Sequence, residues 1–332
     1  MPISIAIIGG GFSGLACAFY LTQYHNVQVT LYEKKIIGAE ASGLAAGLIH
    51  PFTGAHAKLN RFGLEGFHET VKLLNESSQF LKNSVAKFTK ILRIATTQEQ
   101  IQDYQLTANN YPTLTKWIDS TELKNSFPYL KGFGALEIAN GWQVEPKLYM
   151  EGLWKICESR GAVIKYQKID HVDELKNYHA TIIAAGNGSD FLATNLKVAK
   201  NKGQILTCEA TRDFLLPIPL NSKAYLLKDE FRNQIIAGAT FEKKFQNEKP
   251  DLDFAKKEII PKIKAFFPKF NENASFLAKA AIRVSSPDHL PIAKLIDDKV
   301  WCLTAMGSKG LLYHAFYAKK LVQQIMQQNL ID

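Results

Sequence analysis

The chain has 332 residues, 40 of them Lys or Arg and 31 Asp or Glu, for a formal charge of +9, with 46% hydrophobic and 21% charged residues. That hydrophobic content excludes a disordered chain, a collagen and a coiled coil, and the length allows about two domains with a sizeable core. No run of about 18 apolar residues predicts a membrane helix, and the opening MPISIAIIGGG breaks into glycines too soon for a signal peptide.

Ile3 to Ile8 is a short apolar, β-branched run that predicts a buried parallel strand. It leads into Gly9-Gly10-Gly11-Phe12-Ser13-Gly14, a GxGxxG pattern with Gly9, Gly11 and Gly14 at its fixed positions. LACAFYLTQY then has helical spacing, and Val27 to Tyr32 forms a second apolar strand that ends at Glu33 and Lys34. Gly9 permits the tight turn, Gly11 lets the backbone approach a pyrophosphate, and Gly14 lets helix and strand pack closely. The helix N-terminus offers unpaired N–H groups to the diphosphate, and a carboxylate at Glu33 can accept hydrogen bonds from ribose hydroxyls. An acid there disfavours a phosphorylated ribose, so FAD or NAD is expected rather than NADP. A glycine-rich turn without a ligand is the plainer alternative, and the order strand, glycines, helix, strand, acid argues against it.

Next comes a run of small residues from Ala41 to Gly47 that suggests a backbone lying against something bulky. Taken together, GGGFSG, YEK and ASGLAAG resemble the FAD-dependent oxidoreductases of the D-amino-acid oxidase superfamily, which includes glycine and sarcosine oxidases. The resemblance implies an α/β fold in which a Rossmann-type FAD domain is interleaved with a sheet-containing α+β substrate domain. It also implies that Ser42, Gly43 and Gly47 contact the flavin, and that Phe12, Ser13, Lys34 and Ile169 belong to the cofactor site. Glu145-Pro146 opens a helix that runs to Arg160 and stops at Gly161, followed by a strand from Ala162 to Tyr166 and another in residues 180–189. By resemblance Ala185 and Gly186 meet the dinucleotide again, and the Gly203-Gln204 strand crosses between the domains.

RVSSPDHLPI, beginning at Arg283, precedes a strand from Val300 to Ala305, and MGSKGLL then opens a helix to about Gln328. A glycine-rich strand-to-helix turn is an anion site in physical terms. The resemblance places the flavin pyrimidine edge against Gly307, Ser308, Lys309, Gly310 and Leu311. These two motifs, with NGWQVEP at 140–146, are most similar to the FAD-dependent domain of bacterial tRNA 5-methylaminomethyl-2-thiouridine biosynthesis enzymes. That similarity implies oxidative removal of a carboxymethyl group from 5-carboxymethylaminomethyluridine at the tRNA wobble position. The fused methyltransferase of such enzymes is not in this sequence, so a separate methyltransferase acting on the product is expected. GLIHPFTG at 47–54 departs from the family pattern.

A secondary amine next to a carboxymethylene needs a cation to hold its carboxylate, a dry site and a neutral nitrogen. Arg283 is the choice for the carboxylate, because a planar fork meets it bidentately and Lys cannot. Tyr225 stands where relatives place a substrate-side aromatic, and Lys309 could add a charge. His289 reads as a turn residue before it reads as an acid or base, and His50 could approach the flavin. Molecular oxygen is the expected electron acceptor. Two other readings stay open: a small-molecule amine oxidase of the glycine, sarcosine or D-amino-acid type, and a flavin-binding protein without turnover.

The division expected is 1–55, 140–205 and 275–332 for the FAD domain, with 56–139 and 206–274 for the substrate domain. Lys- and Phe-rich sequence near 243–273 reads as an exposed helix. Four widely spaced cysteines without a CxxC pair predict reduced thiols, no metal site and a cytoplasmic location. Only six of the basic residues are Arg: Arg61, Arg93, Arg160, Arg212, Arg232 and Arg283. The Lys-rich excess fits either solubility or attraction to a tRNA, through Lys82, Lys87, Lys90 and Arg93 and through Lys197, Lys200 and Lys202.

Overall fold

The computed structural model describes residues 2–211 and 216–329, so Arg212 lies outside the described residues. Its first sheet has six strands in the order Ile292–Asp297, Val300–Thr304, Ala180–Ile183, Ile3–Ile8, Val27–Tyr32 and Val163–Lys165. All neighbours pair in parallel except the edge strand Ile292–Asp297. Parallel strands are covered on both faces, which is why Ile3–Ile8 reads as a continuous apolar run. Helices Phe12–Leu21, Gly63–Leu81, Pro146–Ser159 and Gly310–Asn329 cover one face and share a core that includes Leu15, Phe19, Leu73, Leu153 and Ile325. Each such side chain taken fully out of water contributes roughly 1.5–3 kcal/mol.

The second sheet has eight strands in sequence across it: Leu277–Ser285, Ala199–Glu209, Gln234–Gly238, Tyr225–Asp229, Leu220–Asn221, Ala86–Ile94, Gly134–Val144 and Leu48–Ile49. Thr115–Asp119 makes a ninth by pairing with Gly134–Val144. Side chains alternate between its faces, as a period of two requires. Leu206, Leu226 and Ile235 enter a core under helix Leu252–Lys264, whereas Ile205 and Tyr225 face a cavity between the two sheets.

Several expectations shift. The helix Pro146–Ser159 forms as the sequence indicates, with the Glu145 carboxylate accepting from the Lys147 N–H at 3.1 Å. The strand expected over 180–189 stops at Ile183, because the chain turns tightly through Gly186–Gly188, Gly186 having a positive φ of 53°. The segment near 243–273 does hold a helix, Leu252–Lys264, but only one face of it is exposed, and Ala255, Ile259, Ile260 and Ile263 are buried against the second sheet. Helix Gly63–Leu81, expected in the substrate domain, packs Phe67, Leu73 and Leu74 into the core of the first sheet. All four cysteines are free thiols. Among the described residues no helix is long and apolar enough to cross a membrane.

Candidate active site

The dinucleotide end is built by the first strand, the glycine turn and the helix after it. Gly9 has φ of +111°, and a Cβ there would lie 2.5 Å from the Ala184 carbonyl oxygen. A Cβ on Gly14 would lie 1.9 Å from the Gly9 carbonyl oxygen, so this position holds strand and helix together. Helix Phe12–Leu21 starts from Gly11, which has no side chain to cap it, so its first N–H groups depend on partners from outside the helix, such as an anion. One of them, on Phe12, donates to Ser42 Oγ at 3.1 Å and ties the small-residue segment to the turn. Glu33 is only 8% exposed, and its carboxylate accepts from Gly10 N at 2.8 Å and Lys35 N at 2.9 Å.

A cavity of about 820 Å³ runs from this turn to the second sheet. At its dinucleotide end it is lined by Gly9, Gly11, Phe12, Ser13, Glu33 and Lys34, with Ile169, Ala185 and Gly186 opposite. Ser42 and Gly47 line its middle, as do Gly307, Ser308, Gly310 and Leu311 of the turn before the last helix. Tyr225, Arg283 and His50 line its far end.

Three of the expected residues do not line it. Gly14 packs under the turn as described, and a Cβ on Gly43 would meet the Gly38 carbonyl oxygen at 2.0 Å, so Gly43 serves a backbone crossing. Lys309 turns away: its Nζ donates to the His289 carbonyl at 3.4 Å and sits 5.3 Å from the centre of the Tyr313 ring. Its charge therefore does not enter the cavity. His289 is an exposed turn residue with φ of +58°, in a loop closed by hydrogen bonds from Ser286 Oγ and Leu290 N to Asp288.

The far end has a floor set by strand register. Arg93 stands opposite Asn221, Asn221 opposite Tyr225, Tyr225 opposite Gly238, Gly238 opposite Ile205, and Ile205 opposite Lys279. Five of these six line the cavity. Gly238 makes room for Tyr225, whose hydroxyl oxygen would be 2.6 Å from a Cβ there. Gly203 does the same for Arg283, whose Cζ would be 2.6 Å from a Cβ. Burial pushes the Tyr225 hydroxyl above its ordinary pKa while the Arg283 charge pulls it back, so the phenol is protonated at neutral pH. Arg283 has no ion-pair partner among the described residues.

Sequence reasoning grouped Arg93 with lysines that could attract a tRNA and did not foresee it buried in the cavity wall. It is 2% exposed, donates through Nη1 to the Phe52 carbonyl at 3.2 Å and through Nη2 to that of Gly54, and leaves Nε without a partner. His50, 3% exposed, has its Nε2 3.4 Å from Asn221 Nδ2 and no partner for Nδ1. Burial and the Arg93 charge push its imidazole down to about 3, so it is neutral. The other cations named above as able to attract a tRNA do not line the cavity. Lys82, Lys87 and Lys197 are exposed, Lys90 pairs with Glu137 at 2.8 Å, Lys200 with Asp190 at 2.9 Å, and Lys202 is buried in the sheet. An Arg within the apolar stretch ILRIA was the one available signal.

An uncapped helix start, glycines that admit close backbone approach, a buried acid and a long cavity between two sheets together define a dinucleotide-binding protein with a second chamber for a small reactant. Residues 4–324 match the family model described as FAD dependent oxidoreductase, and the chain belongs to that family of FAD-dependent enzymes. It is 25% identical over 375 residues to the tRNA 5-methylaminomethyl-2-thiouridine biosynthesis bifunctional protein MnmC of Marinobacter nauticus, covering 98% of this chain and 56% of that one. The chain thus spans about half the length of this relative. It is 22% identical over 256 residues to a D-amino acid oxidase of Dugesia ryukyuensis, covering 74% of this chain and 73% of the relative. Its fold is similar to that of glycine oxidase from Geobacillus kaustophilus, with a TM-score of 0.85 and 20% identity over 98% of this chain and 94% of the other.

Proposed function

We propose that this FAD-dependent enzyme oxidises a secondary amine that carries a carboxymethyl group, and that its substrate is 5-carboxymethylaminomethyluridine at the wobble position of a tRNA. The observation that carries the reading is Arg283, a guanidinium in the cavity wall with no ion-pair partner among the described residues. An unpaired cation in a half-buried cleft is costly unless a ligand completes it. Likeness to the biosynthesis protein from Marinobacter nauticus selects the modified uridine among the carboxylates that would fit.

The residues fit FAD. In this reading Gly9, Gly11, Phe12 and Ser13 receive the pyrophosphate, and Glu33 and Lys34 the ribose side, with Ile169, Ala185 and Gly186 closing over that end. Ser42 and Gly47 would flank the flavin, and the turn Gly307, Ser308, Gly310 and Leu311 would offer its backbone dipoles to it. Bound FAD supplies a two-electron acceptor for a hydride.

Arg283 takes the substrate carboxylate in its planar fork and so points the adjacent methylene toward that acceptor. Tyr225, protonated and beside Arg283, hydrogen-bonds the same carboxylate and fills the wall so that water is kept out. Among the described residues the cavity wall at this end presents no carboxylate to hold the amine as a cation, so the amine reacts neutral. Loss of hydride from the carboxymethyl carbon, with loss of the amine proton, leaves an imine. Water then splits the imine to the aminomethyl base and glyoxylate. Molecular oxygen, reduced to peroxide, restores the oxidised enzyme, and a separate methyltransferase would act on the product.

The test is anaerobic bleaching of the yellow holoenzyme by tRNA bearing the carboxymethylaminomethyl base, against free glycine, sarcosine and D-alanine. Rapid reduction by the tRNA is expected. Rapid reduction by glycine or sarcosine with an inert tRNA would overturn the reading in favour of a small-molecule amine oxidase.

A further inference from the structure

The far end of the cavity holds more positive charge than one carboxylate requires. Arg93, Lys223, Lys279 and Arg283 line it. The acids that line the cavity among the described residues, Glu33 and Glu40, lie at the dinucleotide end. Glu40 is there engaged by Lys34 at 3.2 Å and Lys35 at 3.0 Å. Arg93 is the costliest of the four. It is 2% exposed, with two carbonyl partners, no carboxylate partner among the described residues, and a buried Nε that donates to nothing. Beside it the buried His50 has an unpartnered Nδ1, and Asn221 stands opposite Arg93 in register. Lys223 follows two residues after Asn221, in the turn back to Tyr225, and is exposed.

We propose that Arg93 and Lys223 form a second anion pole of the substrate pocket, which takes the phosphate of the nucleotide whose modified base Arg283 holds by its carboxylate. The inference rests on the tRNA reading above. Lys223 supplies the accessible ammonium. Arg93 supplies a buried guanidinium that faces the Tyr104 ring at 5.8 Å but no carboxylate among the described residues, and by gripping the Phe52 and Gly54 carbonyls it folds that loop inward as a wall. The spacing favours a phosphate over a second carboxylate on a small amine. Two strand spacings of about 4.8 Å separate Arg93 from Tyr225, and Arg283 lies beyond it. A diacid built on one amine nitrogen holds its two carboxylates only a few bonds apart, whereas the carboxylate and the phosphate of the nucleotide are separated by a linker, a base and a sugar.

The holoenzyme is reduced anaerobically with 5-carboxymethylaminomethyluridine, with its 5′- and 3′-monophosphates, and with sarcosine and iminodiacetate. Dissociation constants come from the dependence of the rate on concentration and, independently, from flavin difference spectra with the non-reducible uridine monophosphates. At least one nucleotide is expected to bind about tenfold more tightly than the nucleoside, and Lys223→Gln is expected to erase that difference while the nucleoside constant is kept. Arg93→Gln should erase it too, and Arg93→Lys restore part of it, with flavin content and melting temperature followed because Arg93 also holds a loop. Equal binding of nucleoside and nucleotides, or a preference that survives Lys223→Gln, overturns the pole and leaves the substrate reading standing. If nucleoside and nucleotides are inert, the substrate reading falls. The pole, which takes that nucleotide's phosphate, then falls with it, and reduction by sarcosine or iminodiacetate instead identifies a small-molecule amine oxidase.

Discussion

The guanidinium of Arg283 lies over the bare Cα of Gly203 on the neighbouring strand, so that a Cβ on Gly203 would come within 2.6 Å of Arg283 Cζ and Nη2. The contact is with the far end of a flexible side chain. Gly203→Ala should therefore leave the fold intact and move the guanidinium instead. The expected result is full flavin content, a melting temperature within a few degrees of the parent, and flavin reduction by a carboxylate substrate about tenfold less efficient, expressed in KM. Unaltered reduction would show that Arg283 works from another position.

Arg283 itself should tolerate no substitute. Arg283→Ala and Arg283→Lys are both expected to keep the yellow colour and to lose about 10² to 10³ in the efficiency of anaerobic reduction, because a point charge does not replace a two-pronged contact. Reduction by Arg283→Lys at the parent rate would remove the carboxylate role.

At Gly14 the obstacle is backbone, not side chain. A Cβ would sit 1.9 Å from the Gly9 carbonyl oxygen, and neither strand nor helix can give way cheaply. Gly14→Ala is expected to lose about 2 kcal/mol of stability and to purify largely without flavin, read from the ratio of visible to ultraviolet absorbance. A variant that purifies yellow at full stoichiometry would contradict the packing described.

Two buried imidazoles make stability fall with acid. Burial, with Arg93, pushes His50 down to about 3, and burial pushes His314 down to about 4. Both lie below the ordinary value of about 6.5 for an unfolded chain. The unfolded state thus binds protons that the folded state refuses, and stability rises with pH in that window. Their contribution is complete above about pH 6.5 and is lost progressively as pH falls toward 4. The urea midpoint should drop between pH 7 and pH 4.5, and His50→Asn should flatten part of that slope. A midpoint independent of pH over this range would show that these rings are not buried neutral.

The dinucleotide half of the protein was legible in the sequence because its parts are local. A strand, three spaced glycines, a helix start and an acid follow one another within residues 3–33, and short-range sterics dictate what each glycine is for. Arg283 and the GSKG turn were legible for the same reason, as motifs of adjacent residues. Even there, which residues face inward was decided by the tertiary structure: Lys309 turns toward His289 and Tyr313, and Gly43 serves a backbone crossing.

The substrate half was decided almost entirely by the tertiary structure. Arg93, Asn221, Tyr225, Gly238, Ile205 and Lys279 come from six strands and meet only because the register aligns them. A period of two tells which residues of a strand share a face, but not which strand lies next to it or at what offset. For that reason Arg93, one cation among several in the sequence, turned out to be buried beneath the pocket, while the lysines grouped with it lie outside. By itself the sequence determined that this chain is an FAD-dependent enzyme and which local turns line its cavity. Strand pairing, a long-range property, decided what charge the other end of the cavity presents to a substrate.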